Sequence, residues 1–168
     1  MAALTRKWKG PRQGNPMAEH IWSVPCKNIL QDTHTNLVSL FEVLEKITIE
    51  KGQEQLSISH REGKRGFIFP LSMQLVSLWT RSDWSKPETG MGGVALINPS
   101  GETMIEQRFD IKLQEGDTSR RHLVIYDRFP LSAFGLHWFV VSQWRPSKSG
   151  KTGKWYREAR APIEVVAG

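Results

Sequence analysis

Residues 103–113 alternate with a period of two. Thr103, Ile105, Gln107, Phe109, Ile111 and Leu113 fall on one face, and Met104, Glu106, Arg108, Asp110 and Lys112 on the other. Such alternation predicts a strand with one buried and one wet face, and it recurs along most of the chain. Residues 20–30 read as a strand in which Pro25 predicts an edge position or a split in two. Residues 67–80 form the longest strand candidate: Phe67, Phe69, Leu71, Met73, Leu75 and Trp79 share a face that Ser77 interrupts. Residues 93–97 and 102–113 flank Asn98-Pro99-Ser100-Gly101, a hairpin turn. Residues 121–126 follow a turn at Glu115-Gly116-Asp117. The last hairpin joins residues 136–144, where Leu136, Trp138 and Val140 face one way, to residues 155–165 through a tip at 147–153.

Three segments interrupt this pattern. Residues 1–18 read as a flexible basic arm: Arg6, Lys7, Lys9 and Arg12 precede any acid, and Gly10, Pro11, Gly14 and Pro16 oppose regular structure. Residues 50–66 read as a loop. Residues 37–49 are ambiguous, because Leu37, Leu40, Phe41, Leu44 and Ile47 fit helical spacing while Ile47, Thr48 and Ile49 are strand-like. The strand reading is adopted, with a short helix over 37–47 as the alternative. Strand–helix alternation is missing, which argues against a parallel α/β fold. The chain is therefore expected to be all-β: a flexible arm at 1–18, then one domain at 19–168, an antiparallel β-sandwich of seven or eight strands, immunoglobulin-like or C2-like.

A group of short signatures carries a resemblance. These are a first strand containing Cys26, an apolar second strand, the entry Phe69-Pro70-Leu71 to a long third strand, and the hairpin Asn98-Pro99-Ser100-Gly101-Glu102. The run from Phe129 to Val141 and the ending Ala161-Pro162-Ile163-Glu164-Val165 complete them. Over roughly residues 19–166 the chain resembles a family of small bacterial β-sandwich proteins of unassigned function. The resemblance implies the fold and carries no catalytic residue with it. The basic arm and the Lys-rich last hairpin depart from the family's pattern.

Size and composition bound the partners. A chain of 168 residues can remove about 70% of its unfolded surface from water, so a core needs no disulfide or metal staple. Cys26 is the sole cysteine, which excludes an intrachain disulfide and a cysteine-based zinc site and fits a reducing compartment. Apolar runs fall far short of the ~20 residues of a membrane-spanning helix, and the basic N-terminus lacks the apolar stretch of a secretory signal. A cytoplasmic address is expected. The net charge of +6 favours a polyanionic partner.

Catalytic and cofactor constellations are not found. Ser149-Gly150-Lys151-Thr152 imitates a phosphate-binding loop, but Arg145 stands where the first glycine belongs, and a strand follows instead of a helix. His20, His34, His60, His122 and His137 never pair at i, i+2 or i, i+4, so no metal site is expected. Loop acids (Asp32, Asp83, Glu88, Glu115, Asp117) are scattered and lack the clustering that calcium requires. A Gly-x-Ser-x-Gly elbow is missing, and Cys26 reads as a small buried hydrophobe.

The basic residues give the sharper signal. Arg145, Lys148, Lys151, Lys154, Arg157 and Arg160 face one acid, Glu158, with Trp144, Trp155 and Tyr156 interleaved. Charge for phosphates and flat rings for bases are what single-stranded nucleic acid needs. The candidate polyanion site is thus Arg145, Lys148, Lys151, Lys154, Trp155, Tyr156, Arg157 and Arg160. The competing reading is a solvated hairpin whose lysines keep an edge from pairing. Of seven tryptophans, Trp8 and Trp84 lack an obvious core position and are interface candidates. The reading adopted is a non-enzymatic binding module with no cofactor and no metal, acting on a protein partner. Nucleic-acid binding by the 144–160 hairpin is the alternative, and an unpaired edge near residues 20–30 offers a route to homo-oligomers.

Overall fold

The computed structural model describes residues 17–35, 37–50, 67–147 and 152–168. Eleven strands and no helix occur among them: β1 (Glu19–Gln31), β2 (Val38–Val43), β3 (Lys46–Ile49), β4 (Phe67–Phe69), β5 (Met73–Thr80), β6 (Glu88–Ile97), β7 (Thr103–Leu113), β8 (Ser119–Tyr126), β9 (Phe129–Leu131), β10 (Gly135–Pro146) and β11 (Gly153–Ala167). No helix long and apolar enough to cross a membrane is found among the described residues. The protein is all-β. A four-stranded sheet has the order β2-β1-β5-β8, a five-stranded sheet the order β3-β11-β10-β6-β7, and β4 pairs with β9 alone. Every pairing is antiparallel except β3 with β11.

The strand count exceeds seven or eight for identifiable reasons. Segment 37–49 forms two strands rather than a helix, with a break at Leu44–Glu45 where the chain leaves the four-stranded sheet and joins the five-stranded one. Glu42 sits at the break's approach with φ +52°, and the Leu44 amide donates to the Pro25 carbonyl at 2.9 Å. A bend of this kind is how a strand changes sheets. The predicted strand 67–80 splits at Pro70, which cannot donate to a ladder, and its first piece pairs with a further short strand, β9.

Pro25 does not split β1, and it sits where the strand is paired on one side only, with Leu75 of β5 and no partner in β2. β1 lies between β2 and β5 in the sheet order, but the two neighbours divide it. Glu19–Cys26 pairs with β5 and Cys26–Gln31 with β2, so of the expected open edge along residues 20–30 only Cys26 is paired on both sides. The Pro25 carbonyl points toward Leu44, so the missing N–H points the same way, just past the end of β2. No bond to β5 is lost. The strands at the sheet edges are β2, β8, β3 and β7.

One hydrophobic core draws on both larger sheets. Met73, Leu75 and Trp79 of β5 and Val124 and Tyr126 of β8 join Val94 and Leu96 of β6, Ile111 and Leu113 of β7, Phe139 and Val141 of β10, and Ala161, Ile163 and Val165 of β11. The expected arm contributes as well. Of residues 1–18 only Met17 and Ala18 are among the described ones; Ala18 is buried and its carbonyl accepts from Gln143 Nε2 at 2.6 Å. The 50–66 loop, apart from Glu50, lies outside the described residues.

Several polar groups inside are engaged in structure, while Trp79 Nε1, Tyr126 Oη and His137 Nε2 are buried without a hydrogen-bond partner. Ser77 interrupts the apolar face of β5 because its hydroxyl meets Ser23 Oγ at 2.7 Å, and Ser23 meets His20 Nε2 at 2.7 Å. Glu88, buried, accepts from the Ser82 and Asp83 amides and the Ser82 hydroxyl. Asn98 closes the predicted turn: its Oδ1 accepts from the Glu102 amide and Ser100 Oγ, and its Nδ2 donates to Ser132 Oγ. His137 is fully buried, with Nδ1 at 3.1 Å from the Gly135 carbonyl.

Burial holds His20, His122 and His137 below the usual histidine pKa of 6.5. The unfolded chain therefore takes up protons near pH 6.5 that the folded chain still refuses, so stability is full above that pH and declines as pH falls through the lowered folded values. Urea midpoints are expected to drop between pH 7.5 and pH 5.5, and His137→Gln is expected to flatten that dependence. A pH-independent midpoint in the parent chain would contradict the burial of these rings.

Candidate binding surfaces

The chemistry of the last hairpin depends on which way each side chain points. Along β10 the buried positions are His137, Phe139, Val141 and Gln143, so Leu136, Trp138, Val140, Ser142 and Trp144 point to solvent. The face shared by Leu136, Trp138 and Val140 is thus the wet one. Paired residues of neighbouring strands share a face. Pro162, Arg160, Arg157 and Trp155 of β11 accordingly join Trp138, Val140, Ser142 and Trp144, and Ile97, Ala95, Gly93 and Met91 of β6 lie on the other flank. β7 adds Glu106, Arg108 and Asp110 opposite Ala95, Gly93 and Met91.

These residues build an aromatic–guanidinium face. The Arg160 guanidinium lies 3.9 Å from the Trp138 ring centroid, and that of Arg108 lies 5.3 Å from Trp155. Trp144 and Trp155 meet edge to face at 5.7 Å and 63°. Cation–π contacts of this kind contribute about 0.5–1 kcal/mol when exposed. Glycines make room for the indoles: a Cβ on Gly93 would come within 3.2 Å of Trp155, and one on Gly153 within 2.6 Å of Trp144. On the core side, Gly92 makes the same allowance for Phe109, whose ring stacks on His122 at 3.5 Å.

The structure divides the eight-residue candidate site. The β10–β11 register shifts at Val141/Ser142, where Ala159 and Arg157 are the partners and Glu158 is the extra residue. Such a bulge re-aims the residues beyond it. Trp155, Arg157 and Arg160 lie on the wet face with Trp138 and Trp144. Arg145, Lys154 and Tyr156 belong to the opposite face of the ribbon, where Arg145 pairs with Glu158 at 2.6 Å and covers Tyr156 at 5.0 Å. Lys148 and Lys151 lie outside the described residues. Arg108, from a strand two places away, was beyond the reach of any local pattern.

Charge is uneven across the face. Arg108 pairs with Glu106 at 2.9 Å and Lys112 with Asp110 at 3.0 Å, which neutralises the β7 side. On the β11 side, Arg157 and Arg160 have no carboxylate within ion-pair distance among the described residues. At one end of the face an open groove of about 740 Å³ runs between Met17, Glu88, Met91, Asp110, Lys112 and Trp144. Glu88 and Asp110, its acids, are held by the partners already given.

The wet face of the four-stranded sheet has the opposite character. Trp22, Val24, Cys26 and Leu30 of β1 share it with Val76 and Leu78 of β5, Leu123 and Ile125 of β8, and Phe41 and Val43 of β2. Cys26 and Val76 are buried at its centre although they stand apart from the main core. Leu30, Phe41, Val43, Leu123 and Ile125 are 37–63% exposed around them. Trp84, on the loop before β6, is also exposed and hands its carbonyl to the buried Arg81. Among the described residues no group of three His, Cys, Asp or Glu side chains could hold a metal ion.

The aromatic face carries a direct test. Gly153→Ala would place a Cβ 2.6 Å from the Trp144 ring and 2.7 Å from the Arg145 carbonyl oxygen. A loss of about 1–3 kcal/mol in urea unfolding is expected, as for overpacked sites, with an altered near-ultraviolet circular dichroism signal from the Trp144–Trp155 pair. Unchanged stability and signal would contradict the placement of that ring. Comparison with known proteins finds no protein-family model, no curated relative and no solved structure that matches the chain, so the chemistry of these two faces carries the functional reading.

Proposed function

We propose that the chain is a non-enzymatic binding module, an antiparallel β-sandwich of immunoglobulin-like or C2-like type, that acts through protein contacts. The observation that carries this reading is the apolar wet face of the four-stranded sheet. Across its roughly 14 Å of strand spacing, the positions of this face from β2 to β8 are mostly apolar, with Ser39, Asn28, Gln74, Thr80 and Arg121 as polar interruptions. Apolar patches that are large and rimmed by polar groups mark interaction surfaces. Phe41 and Val43 sit on the edge strand β2, so the patch continues to an edge where a partner's backbone can approach.

Two further features support the reading. Three ionisable groups inside the molecule serve packing and turn closure: Glu88 on amides, His137 on a carbonyl through Nδ1, His122 on a ring. Cys26, the sole thiol, is buried at the patch centre, and burial raises its pKa above the ordinary value. Such a thiol is inert and suits a reducing compartment such as the cytoplasm.

The test compares the full chain with Ile125→Glu by sedimentation and by affinity capture from the source cells. Ile125 is exposed, so the variant keeps its fold, and a charge within an apolar contact opposes association. At least one protein partner, a second copy included, is expected to be retained by the parent chain and reduced roughly ten-fold by the substitution. Identical retention by both chains, or no association of either kind, would contradict the reading.

A further inference from the structure

The opposite side of the molecule offers chemistry that an apolar protein contact does not use. We infer that the wet face of the five-stranded sheet is a second binding surface, for single-stranded nucleic acid, formed by Trp138, Trp144, Trp155, Arg108, Arg157 and Arg160. Nucleic acid here is the ligand of one face, independent of what docks on the other.

Three observations on this face converge. The indoles of Trp138, Trp144 and Trp155 are half-buried on it, those of Trp144 and Trp155 held by neighbouring glycines and by each other and that of Trp138 covered by Arg160. A sheet that presents flat rings is a platform on which unpaired bases stack. The guanidiniums of Arg160 and Arg108 extend that platform, because they already lie over Trp138 and Trp155, and a base stacks on a guanidinium plane as it does on a ring.

Charge then sets the path of the strand. Glu106 and Asp110 make the β7 side unwelcoming to phosphate even though Arg108 and Lys112 neutralise them. Arg157 and Arg160 on β11 are cations without a carboxylate partner among the described residues. Their partners Ser142 and Val140 are two positions apart on β10, which spaces the two cations by about 7 Å along the strand. Phosphates run along β11, and bases turn inward over β10 toward Arg108. Among the described residues the face presents ring surfaces within a sheet and no helix that could enter a duplex groove, and a paired base keeps its ring faces inside its own stack. The ligand is therefore single-stranded.

The arrangement differs from a site spread along the whole last hairpin. Arg145 is held by Glu158 and covers Tyr156 on the other side of the ribbon, so Arg145 and Tyr156 contribute nothing to this face.

The experiment is fluorescence anisotropy of labelled oligothymidylate and of a duplex of equal length against the full chain and Arg157→Gln/Arg160→Gln. Both arginines are exposed, and unchanged far-ultraviolet circular dichroism verifies the fold of the variant. The parent chain is expected to bind the single strand more tightly than the duplex, with quenched tryptophan fluorescence. Losing two phosphate contacts should flatten the log–log salt slope by about 1.4 units, at ~0.7 per contact, and weaken binding at least roughly ten-fold at about 50 mM salt. Ile125→Glu is expected to bind the oligonucleotide as the parent does, which separates this surface from the apolar one. No binding at low salt, equal binding of duplex or inorganic polyphosphate, or unchanged affinity in the double variant would overturn the inference.

Discussion

The register of β10 is the constraint on which the rest depends. It is flanked by β6 and β11 along most of its length, and its side chains alternate between the core and water. Phe139 and Val141 go inward with no exposed surface, while Trp138 and Trp144 go outward. A slip of one residue would exchange the two sets at once, putting indoles into the core and phenylalanine and valine into water. Burying a large apolar side chain contributes about 1.5–3 kcal/mol, so several positions in concert make the register decisive. His137 and Gln143 also go inward, and each finds a carbonyl there: Gly135 for the ring and Ala18 for the amide. The inward face is held by these two contacts as well as by packing, with His137 Nε2 buried and without a hydrogen-bond partner.

With one core drawn from both large sheets, two broad faces remain in contact with water, and they differ in kind. The four-stranded sheet shows aliphatic and aromatic carbon around a buried thiol. The five-stranded sheet shows indoles interleaved with guanidiniums, flanked by neutralised carboxylates on one side and unpaired arginines on the other. In the proposal made above the first suits a protein and the second an unpaired nucleic acid strand, so one small module could bring the two classes of partner together. The bulge at Glu158 is what makes the second face. It places Arg157 beside Arg160 on the wet side, while the alternation of β10 itself turns Arg145 away to cover Tyr156 and pair with Glu158.

Much of the fold was legible because many strands have one apolar and one polar face. In β7, Ile111 and Leu113 are buried and Glu106, Arg108, Asp110 and Lys112 exposed, as the alternation predicts. The turn at Asn98–Gly101 was legible because asparagine, proline and glycine each close it by a local mechanism, Gly101 with φ +86°. β10 was not legible in this way. Both of its faces are apolar, so period two states that it is a strand without stating which face is inside. Pro25 was legible only in part: its missing N–H does face a side without a ladder partner, but β1 as a whole is neither split nor last in its sheet, which depends on neighbours rather than sequence. The basic hairpin was recognised by composition, but charge spacing along a chain carries no information about a bulge, and so six positively charged residues looked like one surface. Arg108 reaches the same face through two intervening strands, which only the sheet order reveals.

The most direct test of this account is radical footprinting of the tryptophans in the folded chain, read by mass spectrometry. The structure expects Trp84 to be modified fastest and Trp79, in the core, to be silent. Trp138, Trp144 and Trp155 should react at intermediate rates that rise when Arg108 and Arg160 are replaced by alanine. Silent Trp138 and Trp144 in the native protein would place them in the core, reverse the register of β10, and remove the aromatic–guanidinium face with it.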